Sequence, residues 1–163
     1  MSALAILIDA WDEAHREFAI AFEGLPAEDL WKRAHPRLLS VGELAGHVAY
    51  WQAVWALGGG SDRPDLSLFP LQSPLLDHGF RYYTSQVEAP FQVALDPAQV
   101  LAEVTRIHEA AAAQAQGREL ESPFPGQWRT WGNFVQYQAF HVAYHTGQAY
   151  SVRHLLGHET EDN

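Results

Sequence analysis

Two histidines four residues apart, His141 and His145, lie in the stretch Phe140-His141-Val142-Ala143-Tyr144-His145-Thr146-Gly147-Gln148. On a helix that spacing stacks both rings on one face. Two neutral imidazoles so placed can hold one metal ion if a helix packed opposite supplies a third donor, and His47 is the candidate. Spacing alone carries little weight. With nine histidines in 163 residues, composition yields roughly half of one H-x-x-x-H pair by chance. A second pair, His154 and His158, makes the point: Gly157 stands between them and the polar tail Glu159 to Asn163 follows, so these two read as frayed surface. What separates the pairs is where each sits in the fold.

Hydrophobic spacing gives the elements that must position the rings. From Leu4 to Phe22 the residues Leu4, Leu7, Ile8, Trp11, Phe18 and Phe22 predict an amphipathic helix, ended by Gly24 and Pro26. His15 falls at the edge of that stripe and is expected to be exposed or hydrogen-bonded. Ala27 to Ala34 suggests a short helical turn before His35-Pro36. Ser40-Val41-Gly42-Glu43 is a capping box, in which hydroxyl and carboxylate satisfy orphan N–H groups at a helix start. Beyond it Leu44, His47, Val48, Trp51 and Trp55 share one face until Gly58-Gly59-Gly60. His47 is therefore expected to point inward among apolar neighbours.

Residues 61–95 carry prolines at 64, 70, 74 and 90 and no sustained period. So long a connection implies a crossover along a bundle. Within it Phe80, Tyr82, Tyr83 and Phe91 suggest a short helix packed over one end of the core, with His78 at the surface. Asp96-Pro97-Ala98-Gln99 starts a third helix with the buried stripe Val100, Leu101, Val104, Ile107 and Ala111, and Gly117 ends it. His108 stands beside that stripe in a structural role. After the turn-rich connector Glu121 to Arg129, Thr130 caps a last helix running to about Leu156, with Gly157 at its C-terminal cap. Its apolar face reads Phe134, Tyr137, His141, Tyr144 or His145, Gln148, Val152 and Leu155. The expectation is an all-α four-helix bundle, with a long crossover between helices 2 and 3, in a single domain over residues 1–163.

Three inward imidazoles near one another repel if charged, and each needs partners for both ring nitrogens. A divalent metal resolves the conflict by taking one nitrogen of each neutral ring and leaving the other N–H for an outer acceptor. Three protein nitrogens leave a coordination position open, the pattern of catalytic rather than structural zinc. Such a site lowers the pKa of bound water or holds a thiolate. The pair is not a zincin motif, because H-E-x-x-H needs glutamate at position 142 and this chain has Val142. Glu43 lies one turn from His47, but the capping box accounts for it. Tyr144 and Gln148 are placed to orient a second ligand or bound water, and Trp51 to wall a pocket. A histidine-rich site accepts Zn, Ni, Fe or Cu, and affinity order alone favours whichever is available; Zn and Ni are the first expectations, with Fe next.

Composition narrows the partners. A formal charge of −10 with only ten scattered basic residues argues against nucleic acid. No apolar run is long enough to span a bilayer, and no basic flank precedes an apolar signal core. Cysteine is absent, which excludes disulfides and thiolate ligands. A cytoplasmic location and a small-molecule partner are the expectations.

The segment Ser40-Val41-Gly42-Glu43-Leu44-Ala45-Gly46-His47-Val48 together with Phe140 to Gln148, closing on Leu155-Leu156-Gly157, resembles the DinB-like (YfiT-like) metal-binding bundle proteins over nearly the whole chain. The resemblance implies a four-helix bundle with a three-histidine metal site, carried here by His47, His141 and His145. It implies a homodimer, as many members form, and thiol-dependent transferase or isomerase chemistry with bacterial low-molecular-weight thiols, as some members perform. Two functions follow as expectations: a metal-dependent enzyme activating a thiol or water against a small electrophile, in the transferase or hydrolase class, or a non-catalytic metal- or ligand-binding stress-response module.

Overall fold

The computed structural model describes residues 2–59, 61, 63–82 and 89–159. Its framework is four helices, α1 (Ala3–Ile20), α2 (Val41–Leu57), α3 (Pro97–Ala115) and α4 (Trp131–Leu155), so the fold is the expected all-helical bundle. Each helix starts where a side chain can answer its orphan N–H groups. Ser2 accepts from Ala5, Ser40 and Glu43 close a capping box, Asp96 and Gln99 close another behind Pro97, and Thr130 accepts from Asn133.

Packing pairs α1 with α4 and α2 with α3, while α2 and α4 meet along a shorter seam. Helix α2 is buried on every side from Val41 to Trp55, not along one stripe as its spacing suggested. A helix so enclosed needs cover on its outer face, and the crossover supplies it. Among the described residues the crossover forms two single-turn 3-10 segments, Leu66–Leu68 and His78–Phe80, and lies along α2. The Phe91 N–H donates to the Glu43 carboxylate at the start of α2, and Trp51 Nε1–H donates to the Arg81 carbonyl at mid-helix. His78 is exposed, as expected, but its Nδ1 hydrogen-bonds the Tyr50 hydroxyl at 2.8 Å. Gly46 makes this close approach possible, since a Cβ there would stand 2.2 Å from the Phe80 ring. Phe69, Leu75, Leu76 and Phe80 are buried by this arrangement. Tyr83, grouped with these aromatics by sequence, lies outside the described residues.

The inward face of α4 also differs from the apolar stripe read from its sequence. Phe134, Gln138, His141, His145, Ala149 and Val152 are buried, whereas Tyr137, Tyr144 and Leu155 are 38%, 54% and 66% exposed. The second H-x-x-x-H pair is not frayed. His158 Nε2 sits 2.7 Å from the Asp29 carboxylate and ties the end of α4 to the α1–α2 connection. Among the described residues, no helix is long and apolar enough to cross a membrane.

Candidate metal centre

His47 projects from α2, and His141 and His145 project from successive turns of α4. All three are buried, each about 8% exposed, and one ring nitrogen from each lies within 4.8 Å of the other two. The nitrogens that meet are the Nε2 atoms. His141 Nε2 is 3.4 Å from His47 Nε2 and 3.1 Å from His145 Nε2. Two nitrogens bound to one tetrahedral zinc at ~2.0–2.1 Å stand about 3.3 Å apart, so the spacing is that of a ligand set.

The outer nitrogens show why the triangle is not simply a hydrogen-bonded cluster. His47 Nδ1 lies 3.2 Å from the Phe80 carbonyl, which only accepts, so the proton is on Nδ1 and Nε2 offers a lone pair. Likewise His145 Nδ1 donates to Gln148 Oε1 at 2.6 Å, and its Nε2 also offers a lone pair. His141 can direct at most one N–H at these two acceptors. Converging lone pairs, with outer acceptors fixing the tautomers, are the donor chemistry of a divalent metal site. The Gly46 gap that admits Phe80 therefore also sets the tautomer of His47.

Burial and mutual proximity keep the rings neutral. Burial and then the neighbouring His145 lower His47 to about 3. Burial, followed by His145, His47 and, last, His15, lowers His141 to about 2. His145 is lowered by burial to about 4, against the raising effect of its hydrogen bond to Gln148. Neutral imidazole is the ligating form.

Around the triad lies a cavity of about 320 Å³, lined among others by Trp51, Trp55, Tyr82, Tyr137, Phe140 and Tyr144. Of these, Trp51 lies against His47 at 6.5 Å between ring centroids and Tyr144 against His145 at 5.0 Å. Gln148 bridges them, accepting from His145 and donating to the Tyr144 hydroxyl. Sequence reasoning missed Gln138, buried one turn before His141 and facing the cavity. The i, i+3 step to His141 was its signal, masked because Tyr137 had been taken into the stripe.

Glu43 does more than cap. Its carboxylate accepts from Arg33 at 2.5 and 2.8 Å, from the Tyr82 hydroxyl at 2.8 Å and from Phe91 N–H at 3.1 Å. Burial pushes Glu43 up, and Arg33 with the Ser40, Phe91 and Tyr82 donors more than reverses this, leaving it below the usual carboxylate value. Tyr82, which lines the cavity, is held by this ion pair.

The remaining buried imidazoles do not join the triad. His15 Nε2 donates to Gln52 at 3.0 Å, and His108 Nε2 to Asp12 at 2.7 Å, with the two rings stacked 3.9 Å apart. Among the described residues, the triad is the group able to hold a metal ion.

Neither the curated proteins nor the solved structures offer a match to this chain. The family model of the DinB superfamily matches residues 10–149, a span that takes in most of α1, all of α2 and α3, and the triad. With that match and the helical bundle that carries it, the chain belongs to the DinB superfamily.

Proposed function

We propose that the protein is a metal-dependent enzyme of the thiol transferase class, with His47, His141 and His145 as ligands to one divalent ion, zinc or nickel before iron. The convergence of three Nε2 atoms beside a cavity carries this reading. A divalent ion held there supplies Lewis acidity at its remaining coordination position, which lowers the pKa of a thiol or water.

The chain's own groups favour the thiol. Among the described residues lining the cavity there is no aspartate, glutamate, lysine or arginine, so no carboxylate stands ready to take a proton from water. A thiol has an ordinary pKa near ~8.5 and ionises without such a base far more readily than water. Gln148 and the Phe80 carbonyl fix two imidazoles in the ligating tautomer, Tyr144 steadies Gln148, and Trp51 and Trp55 keep bulk water from one side. The substrate is a small electrophile that fits beside these walls.

Thiol-conjugation and hydrolysis reactions screened with zinc- or nickel-loaded protein should reveal turnover that His47→Ala abolishes. Loaded protein with no activity depending on His47 would overturn the enzymatic reading. One observation supports a second reading, a non-catalytic module in which the ion staples helices. The triad bridges α2 and α4, whose seam is shorter than those of α1 with α4 and of α2 with α3. On that reading the ion raises thermal stability and nothing is turned over.

A further inference from the structure

The cavity beside the triad has walls of one kind. On α2, the Trp51 and Trp55 rings lie 5.7 Å apart and only 20° from parallel, presenting a flat face one turn long. On α4, Phe140 and Tyr144 lie 6.1 Å apart at 27°, and both are more than half exposed. Trp128 closes the space between the two helices, with its ring 6.2 Å from Trp55 and 4.3 Å from that of Tyr137. The lining residues described carry no formal charge when the histidines are neutral. A divalent ion on neutral imidazoles is then the local charge, and it is positive. A ligand complementary to this site has one anionic donor and an otherwise uncharged body flat enough to lie along indole and phenyl faces.

Gln138 adds a second demand. Its side chain is 1% exposed and lines the cavity, yet neither its Oε1 nor its Nε2 has a hydrogen-bond partner among the described residues. A buried carboxamide with both ends unanswered is costly. It lies one turn before His141 on α4 and lines the same cavity as the three histidines. The group that answers it must accept from an amide N–H, donate to an amide oxygen, or do both.

We infer that the site takes an aromatic substrate bearing a metal-binding anionic donor with a hydroxyl or amide N–H next to it, and that Gln138 is the residue selecting for that neighbouring group. This rests on the metal reading of the triad. It goes beyond it by naming the ligand's shape, charge and polar pattern. Gln138 acts by binding and is not required for holding the ion.

Isothermal titration of zinc-loaded protein tests the inference with four probes: benzohydroxamate, acetohydroxamate, thiophenolate and ethanethiolate. The aromatic member of each pair should bind at least about tenfold tighter, the worth of one good ring contact. Gln138→Leu should weaken benzohydroxamate, which carries an N–H beside its donor, about tenfold. It should change thiophenolate, which has no such group, by less than about twofold, and zinc content should be unchanged. Gln138→Met gives the same comparison if leucine disturbs folding. Equal binding of aromatic and aliphatic probes to zinc-loaded protein overturns this inference and leaves the metal site standing. Equal loss of both aromatic probes in the Gln138 variants overturns the selective role, because a merely structural glutamine would act on both. Protein that takes up no zinc at the triad overturns the metal reading and this inference with it.

Discussion

Two clusters of buried imidazoles share the interior of this bundle, and they solve the same problem in opposite ways. In the pair, His15 and His108 stack at 3.9 Å, but each sends its Nε2–H to a partner of its own, Gln52 or Asp12. In the triad the Nε2 atoms face one another, and the private partners, Phe80 O and Gln148 Oε1, sit on the outer nitrogens. Burial lowers the pKa of all five rings, so burial does not tell a ligand from a structural histidine. What the Nε2 atoms face does: as N–H donors they turn to separate acceptors in one cluster, and as lone pairs they turn to a common point in the other.

Acid is the harshest way to sharpen that contrast. Each triad histidine has a folded pKa below its unfolded value, near ~6.5. Below that pH the unfolded chain takes up protons that the folded chain refuses, so stability is fully present above ~6.5 and is lost as pH falls towards the folded values of about 3, 2 and 4. Three such groups contribute on the order of 4 kcal/mol of loss between pH 7.5 and 5.5 in metal-free protein, at about 1.4 kcal/mol per group per unit. His15 and His108 add to the loss in the same direction. On the proposed metal reading zinc binds the triad and not the pair, so urea denaturation should show zinc restoring the triad's share until the ion is displaced, and the pair's share lost regardless. Metal-free and zinc-loaded protein with identical acid profiles would remove the distinction between the clusters.

Single substitutions break the comparison at known points. His141→Ala removes one of the three proposed ligands and should weaken zinc binding by at least about 100-fold, roughly 2.7 kcal/mol. His108→Ala should leave zinc affinity within about twofold while costing stability through an unpaired Asp12 and a cavity under Trp11, whose ring lies 4.7 Å from that of His108. Competition with a fluorescent chelator reads both. Gln148→Leu keeps the volume but takes the acceptor from His145 Nδ1, and should weaken zinc about tenfold, at the low end for outer-shell partners. A Gln148 effect as large as that of His141 would mean that Gln148 is itself a ligand.

The skeleton of this arrangement was legible in the chain. The capping box at Ser40 and Glu43, the Asp96-Pro97 start and the Thr130 cap mark helix starts by local chemistry, which sequence states directly. The spacing of His141 and His145 placed them on one face for the same reason. What the chain hid depends on non-local contacts. Helix α2 was read as one-sided because nothing local says that a proline-rich crossover will lie along its outer face and put Phe80 against Gly46. Spacing assigns Tyr137 to the core because aromatics score as apolar, whereas it walls a cavity. Gln138 was passed over because a polar residue on a buried stripe reads as a break in the pattern. Glu43 was assigned to the cap, and its partners Arg33, Tyr82 and Phe91 come from three separate stretches of chain.

The gentlest perturbation tests whether the two clusters are electrically separate. Asp12 is 39% exposed on its side chain, and its hydrogen bond holds the buried His108 up against the lowering effect of burial. Asp12→Asn keeps an acceptor for the His108 Nε2–H and removes only the charge. At pH 7.5, where His108 is neutral, solvent screening of so exposed a group limits the cost to less than about 1 kcal/mol. Without the carboxylate the folded pKa of His108 falls further below ~6.5, so the variant should lose more stability than the parent as pH drops from 6.5 to 5.5. Zinc affinity at pH 7.5 should stay within about twofold, because Asp12 answers His108 and is not among the groups that meet at the triad. If Asp12→Asn shifts zinc binding as far as Gln148→Leu does, the stacked pair is the outer charge partner of His141, whose Nδ1 has no partner among the described residues. The two clusters would then be one extended site.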